Sequence, residues 1–406
     1  MSEKNNIKRR NFIKLGMTGL VGIGSAPAVL KGKAKASFYD QKKDRKFIYR
    51  TLGKTGIKLP IVNMGVMNAD NPNLVAAALD AGIVYLDTAW GYQRGRNEEM
   101  IGGVIKGRPR DSYVIGTKVP GMPQERRTGY LTPETDPKNF HKLFDQSLER
   151  LGLEYVDILY LHNIKRGQDA QFEPLLKALE KEKKRGRAKF IGVTAHTHEP
   201  EVIRAAIETK VYDVFLTAYN FKKDYQQELK TAVAEAAAAG LGIVAMKTQA
   251  GVYWDGKKKS DPINMKAALK WALNDPNVHT AIPGFTTFDQ MELDLSVMED
   301  LALTAQELKD LRLETKTGGL YCQQCEQCLP HCKQGLPIPD LMRSYMYAYG
   351  YNNLEAAHEL VTSFNLPDNP CGNCRDCVVN CAKEFNVQER ITDVSRLKNL
   401  PVDFFV

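Results

Sequence analysis

No cysteine occurs in the first 321 residues of this 406-residue chain. Disulfides and thiolate metal sites are therefore excluded from most of its length. No apolar run approaches the roughly 18 residues that a membrane-spanning helix needs. No strand pattern leads into Gly-x-Gly-x-x-Gly, the turn that cradles a pyrophosphate in open dinucleotide-binding sheets. There is no low-complexity segment. A spread positive field is missing too. The formal charge is +8, but Lys4, Lys8, Arg9, Arg10, Lys14, Lys31, Lys33 and Lys35 crowd into residues 1–36 against Glu3 alone. The rest is nearly neutral, which argues against nucleic acid as a partner. What remains, 43% apolar and 26% charged residues, is ordinary for a folded protein with ample material for a core.

The basic start has its own logic. Arg9-Arg10 is followed by Phe12 and Lys14, then by a short, glycine-rich apolar run from Leu15 to Gly24. "AKA" at 34–36, or "APA" at 26–28, offers small residues for cleavage. This is the pattern of a twin-arginine (Tat) export signal, with Lys8 where Ser or Thr is usual. The expectation is a removable signal over 1–36, the Tat translocase as a transient partner, and a periplasmic protein that acquires any cofactor before export. A disordered basic tail is the plainer alternative.

From residue 61 onward, short apolar runs alternate with helical patterns. Candidate strands fall at 61–65, 83–87, 112–118, 156–162, 188–194, 212–218, 242–247 and 279–284. Segments such as "NFHKLFDQSLERLG" and "FEPLLKALEKEKKRG" lie between them, several ending in a basic residue and Gly. Fully apolar strands in strict alternation with helices imply a parallel sheet covered on both faces. Eight units predict an α/β fold, a (β/α)8 TIM barrel over 37–317, with a doubly wound open sheet as runner-up. "FIYRTLGKTGIKLP" predicts a hairpin closing the barrel bottom. Gly318-Gly319 suggests a hinge before a second domain over 318–406.

Barrel chemistry sits at the C-terminal ends of strands. There the sequence places Asp87 ("LDTAWGY"), Tyr92 five residues later, Lys118 ("IGTK") and His162 ("LYLH"). Each alone has a bland reading, as a helix cap or a satisfied core histidine. Together they form coherent acid–base chemistry. A lysine ammonium favours a neighbouring phenolate, a carboxylate holds the lysine, and an imidazole orients a substrate carbonyl.

With "AGIVYLDTAWGYQRGRNEEMIG", "DILYLH", "GRAKFIGVT" and "AIPGFTTFDQMELDL", the chain resembles the aldo-keto reductase family over roughly 47–315. The resemblance implies hydride transfer between a nicotinamide cofactor, NAD(P)H, and a small carbonyl or alcohol substrate, with Tyr92 as general acid and base. It also implies cofactor contacts at Thr194, His196, Asn220, Lys247, Pro283, Gly284 and Gln290. Where the family usually has Ser-Asn after the fifth strand, this chain has Thr194-Ala195 and then His196. Gly284 and Gln290 stand where NADP-specific members carry Lys and Arg, so a preference for NADPH is unsupported. A metal at His196 and His198 is the less favoured reading of "TAHTHEP".

All eight cysteines lie in two copies of one spacing, Cys322, Cys325, Cys328, Cys332 and Cys371, Cys374, Cys377, Cys381. This is the bacterial ferredoxin spacing for two [4Fe–4S] clusters, in which the fourth cysteine of each run serves the other cluster. The usual following proline is absent, with Lys333 and Ala382 in its place. Zinc and disulfides fit the repeated spacing less well. The helical spacer between the runs resembles the α-helical ferredoxins, and the whole resembles aldo-keto reductases fused to such a domain. The expectation is an iron–sulfur oxidoreductase that exchanges electrons with an electron-transfer protein. The alternatives are an electron-transfer or binding subunit with a silent barrel, and clusters that only brace their domain.

Overall fold

The computed structural model describes residues 46–250, 264–316, 322–372, 374 and 377–405. The twin-arginine segment, its cleavage motifs and the Gly318-Gly319 hinge lie outside the described residues.

Strands Tyr49–Thr51 and Lys58–Pro60 pair antiparallel. They form the expected hairpin, and its Leu52 and Leu59 are fully buried against the interior of the sheet above. Eight parallel strands follow in sequence order: β1 (Met64–Gly65), β2 (Tyr85–Asp87), β3 (Val114–Val119), β4 (Val156–Ile164), β5 (Ala188–Ala195), β6 (Val214–Ala218), β7 (Gly242–Met246) and β8 (Thr280–Ala281). The sheet closes. Val62 bridges Ala281 in parallel, Asn63 N–H donates to the Ala281 carbonyl (2.8 Å), and Gly65 N–H donates to that of Pro283 (3.0 Å). Closure decides for the barrel over the open sheet. The first and last strands are shorter than their apolar runs. β3 and β4 run past Lys118 and His162 because their ladders continue, Val119 beside Leu161 and Ile164 beside Ala195.

Two strand glycines explain what fills the barrel. A side chain at Gly116 would meet the Tyr85 hydroxyl at 2.6 Å, and one at Gly192 would meet the Tyr160 ring at 2.6 Å. Glycine weakens a strand, but here it makes room for two large tyrosines at the centre. Helices such as Pro137–Leu151 and Glu173–Lys184 pack apolar faces on the outside of the sheet.

After the helix Ala305–Lys316, the cysteine-bearing lobe carries helices Ile338–Tyr349, Leu354–Ser363 and Val387–Ser395. It sits on the C-terminal mouth of the barrel and bonds to the loops after β1 to β6 in turn. Asn353 reaches Asn68 (2.9 Å), Glu359 reaches Arg94 (2.8 Å), and Glu355 pairs with Arg96. Arg126 donates to the Phe364 carbonyl (2.7 Å), and Asp340 meets Lys165 (3.2 Å). Thr197 donates to the Gln324 carbonyl (2.6 Å), and Gln323 donates to that of Lys222 (2.8 Å).

Candidate active site

Beneath that lobe, the strand ends bring the four acid–base candidates together. Asp87 closes β2, and its carboxylate is paired with the Lys118 ammonium from β3. Both side chains are 2% exposed. Tyr92 starts a tight turn after β2 in which Gln93 and Arg94 both take positive φ. This turn aims its hydroxyl at Lys118 Nζ, 3.3 Å away. Lys118 also donates to the Thr88 carbonyl (2.6 Å). The His162 ring meets Tyr92 edge-on, with centroids 6.1 Å apart and planes at 81°.

The electrostatics follow from burial and neighbours. Burial alone would pull the Lys118 pKa down, but Asp87 and Tyr92 more than offset it, so it stays above the usual lysine value. His162 is held well below the ordinary histidine range, first by burial and then by Lys118, Arg343 and Lys247. It is therefore a neutral imidazole at physiological pH. Under the pair, Tyr85 donates to Asp87 (2.8 Å) and lies 3.0 Å from the Tyr160 hydroxyl. The interior tyrosines thus fix the carboxylate that fixes the lysine.

The nucleotide candidates are distributed around the rim. Thr194 lies in β5, and its hydroxyl accepts the Asn163 N–H (2.8 Å). His196 follows, its ring 6.2 Å from that of His162. Asn220 donates to the Lys247 carbonyl (3.2 Å), just past β7. Pro283, Gly284 and Gln290 lie beyond β8. Gly284 and Gln290 are exposed, and the Gln290 amide oxygen accepts from Thr286 N–H (2.8 Å). Among the buried side-chain atoms at the mouth, Asn163 Oδ1, Thr248 Oγ1 and His196 Nδ1 have no partner.

Across residues 59–267 the chain matches the model of the Aldo/keto reductase family. The chain belongs to that family. A D-threo-aldose 1-dehydrogenase of a Pseudomonas species is 28% identical over 235 residues, covering 51% of this chain and 71% of that protein. An L-galactose dehydrogenase of Arabidopsis thaliana is 35% identical over 158 residues, covering 36% of this chain and 47% of that protein. Among solved structures, an aldo-keto reductase of Bacillus halodurans in its holo form covers 66% of this chain and 96% of its own, at 22% identity and a TM-score of 0.54. The protein is an oxidoreductase of aldo-keto reductase type, and the cysteine-bearing lobe lies outside the matched segment.

In that lobe the thiols fall into two sets around two cavities. Cys322, Cys325, Cys328 and Cys381 line one, with about 380 Å³ of empty space. Cys332, Cys371, Cys374 and Cys377 line the other, with about 390 Å³. Each set takes three cysteines from one run and the fourth from the other. Among the described residues no three His, Cys, Asp or Glu side chains gather as ligands of a metal ion, at His196 and His198 or elsewhere. Burial pushes Cys322 up to about 11 and Cys328 up to about 12, and the other thiols of their set add to it.

Sequence reasoning missed what covers the mouth. The helix Ile338–Tyr349 turns Asp340, Arg343 and Tyr347 toward the barrel, and Tyr351 continues that face at the same helical spacing. Tyr347 and Tyr351 stack with centroids 6.0 Å apart, and both lie within electrostatic reach of Tyr92. The helix carries Asp340 and Ser344 beside Arg343 and its tyrosines, a mixed pattern that reads as a solvated face and gave no local signal of docking.

Proposed function

We propose that this aldo-keto reductase interconverts a carbonyl compound and its alcohol with a nicotinamide nucleotide, and that its C-terminal lobe carries two [4Fe–4S] clusters. One observation carries the first part: a buried ammonium, Lys118, held by Asp87 and set 3.3 Å from the Tyr92 hydroxyl. In the reducing direction Tyr92 gives its proton to the carbonyl oxygen, and Lys118 stabilises the phenolate left behind. His162, neutral, donates a ring N–H to the same oxygen and fixes its orientation. Asp87 keeps Lys118 charged and in place.

The nicotinamide nucleotide supplies or accepts the hydride when bound. Asn163 Oδ1 and Thr248 Oγ1, buried without partners, suit a polar ring substituent such as a carboxamide. Thr194, His196, Asn220 and Lys247 would border it. Pro283, Gly284 and Gln290 would border the nucleotide beyond β8, and neither Gly284 nor Gln290 brings a cation for a 2′-phosphate. For the lobe, four thiols around each cavity suit a four-iron cube, which takes one thiolate at each iron. Clusters there would exchange single electrons with an electron-transfer protein. The twin-arginine start supports export by the Tat translocase to the periplasm.

Replacing Tyr92 by Phe tests the acid–base assignment. Carbonyl turnover should fall at least ~100-fold with iron content unchanged, and unchanged turnover would sink it. A second reading, an electron-transfer subunit with a silent barrel, is favoured by Ala195, which offers no side-chain contact to a carboxamide. Adding NADH and then NADPH to the anaerobic protein separates the two. Bleaching of the cluster absorption supports the wired enzyme, whereas an unresponsive spectrum in a protein that also lacks carbonyl turnover supports the silent barrel.

A further inference from the structure

The turn that presents Tyr92 is held by a residue that the acid–base chemistry does not use. After β2 the chain continues beside β3. Thr88 N–H donates to the Gly116 carbonyl (2.9 Å), and Trp90 N–H donates to the Lys118 carbonyl (3.0 Å). The Trp90 carbonyl, two residues before Tyr92, accepts from Arg150 Nη1 (2.8 Å), on the helix Pro137–Leu151. One helical turn earlier, the Gln146 amide oxygen accepts from the Trp90 indole N–H (2.8 Å). Residues four apart share a helix face, so one face grips both the main chain and the side chain of a single tryptophan.

Arg150 is itself anchored. The same Nη1 lies 3.3 Å from Glu98 Oε2, and the Glu98 side chain is fully buried. Nη1 carries two N–H groups, enough for a carbonyl and a carboxylate together. The other carboxylate oxygen, Oε1, accepts from the Thr117 hydroxyl (2.6 Å). Thr117 precedes Lys118 on β3. Gly95 supplies the space, since a Cβ there would stand 2.3 Å from Arg150 Cζ. Trp90 is therefore fixed at both its backbone groups, its N–H by the backbone of Lys118 and its carbonyl by an arginine tied through Glu98 to Thr117. Both routes lead back to β3, which carries the ammonium that Tyr92 must face.

We propose that Arg150, anchored by Glu98, is a positioning residue for Tyr92: it clamps the Trp90 carbonyl and so sets the 3.3 Å between the Tyr92 hydroxyl and Lys118 Nζ. Arg150 and Glu98 act through Trp90 rather than on the substrate. The clamp matters because the turn beyond Tyr92 is strained. Gln93 and Arg94 hold φ of 50° and 54°, a region that such residues keep only where their surroundings impose it. With the carbonyl released, the turn relaxes and carries the hydroxyl away from the ammonium. A displacement of about 1 Å is enough to cost on the order of 100-fold in rate. This inference rests on the acid–base reading of Tyr92 and adds the residues that hold it in place.

The test uses the full protein. Arg150→Met alone would strand Glu98 as a buried charge, so the variant to make is the double one, Glu98→Gln with Arg150→Met, which removes the pair together. With 4-nitrobenzaldehyde and NADH or NADPH, kcat should fall about 10- to 100-fold while both KM values hold, because the clamp touches neither substrate. Arg150→Lys keeps a cation beside Glu98 and a donor for the carbonyl, and should recover part of the loss. A second readout needs no turnover. With 3-fluorotyrosine in place of Tyr92, the fluorine NMR signal should shift or broaden in the double variant and return toward the wild-type signal with Arg150→Lys. A signal unchanged in the double variant overturns the proposal whatever the turnover does. A changed signal with unchanged kcat, in an enzyme that Tyr92→Phe inactivates, overturns it as well, since the hydroxyl would then move without consequence. If Tyr92→Phe retains turnover, the acid–base reading fails, and the fluorine signal alone decides whether Arg150 holds Tyr92.

Discussion

The barrel and the lobe above it are built on opposite principles. The barrel core is largely apolar, with strand residues such as Ile158, Leu159, Val193, Phe215 and Val244 at 0% exposure and helices sealing the outside. The deeply buried charge pair Asp87–Lys118 is embedded in that mass, and Glu199–Lys223 is buried as fully nearer the rim. The lobe's core mixes Leu341, Val361 and Ile391 with Cys328 and Cys371, around two cavities walled by thiols. The barrel is held by what it buries, and on the proposed reading the lobe is held also by what its cavities surround, in addition to its apolar core.

The sharpest way to break that contrast is inside the barrel. Lys118→Met leaves Asp87 buried without a counter-charge, so the barrel should lose about 3–5 kcal/mol of stability as well as its carbonyl turnover. Denaturant midpoints checked against a turnover assay would show both losses. Next in size is removal of iron. Chelation under anaerobic conditions should raise amide exchange across 338–349, 354–363 and 387–395 while β2 to β7 stay protected. Equal protection in both regions would show that the lobe stands on its apolar contacts alone.

A smaller effect separates the regions by pH. Burial pushes Asp294, on the helix Phe288–Val297, from the usual carboxylate range up to about 7, against a hydrogen bond from Gln249 (3.1 Å). The folded state thus keeps a proton that the unfolded chain has lost between about pH 4 and 7. Its contribution to stability falls as pH rises through that window and is lowest above 7. Asp294→Asn should remove the slope, raising barrel stability by up to about 4 kcal/mol at pH 8 and hardly at all at pH 4. Melting curves at the two pH values decide. The smallest effect is at the seam. Arg94→Ala or Arg96→Ala deletes a half-exposed pair with Glu359 or Glu355 and should cost under about 1 kcal/mol, visible only as slightly faster exchange at the lobe edge.

The eight strands were legible because strands buried on both faces read as continuous apolar runs. Asp87, Tyr92, Lys118 and His162 were legible because polar residues interrupt those runs at one end. The strand boundaries were less so, since the ladders carry β3 past Lys118 to Val119 and β4 past His162 to Ile164. Gly116 and Gly192 acquire a reason only once Tyr85 and Tyr160 are seen beside them. The division of the thiols into two mixed sets matched the ferredoxin spacing. The docking of the lobe left no local trace. Lys165–Asp340 and Thr197–Gln324 join residues far apart in the chain, and no periodicity reports such pairs. Arg343 and Tyr347 resemble a solvated helix face until the barrel is placed against them.

That docking also has an order in time. Every residue of the floor, from Asp87 to Lys247, leaves the ribosome before Gln324, Arg343 or Tyr347, and domains fold largely as they emerge. Each molecule therefore passes through a stage in which the mouth is finished and nothing lies over it. A nucleotide that settles there would be shut in when the last helices dock. Such a nucleotide would come from the compartment in which the chain is made.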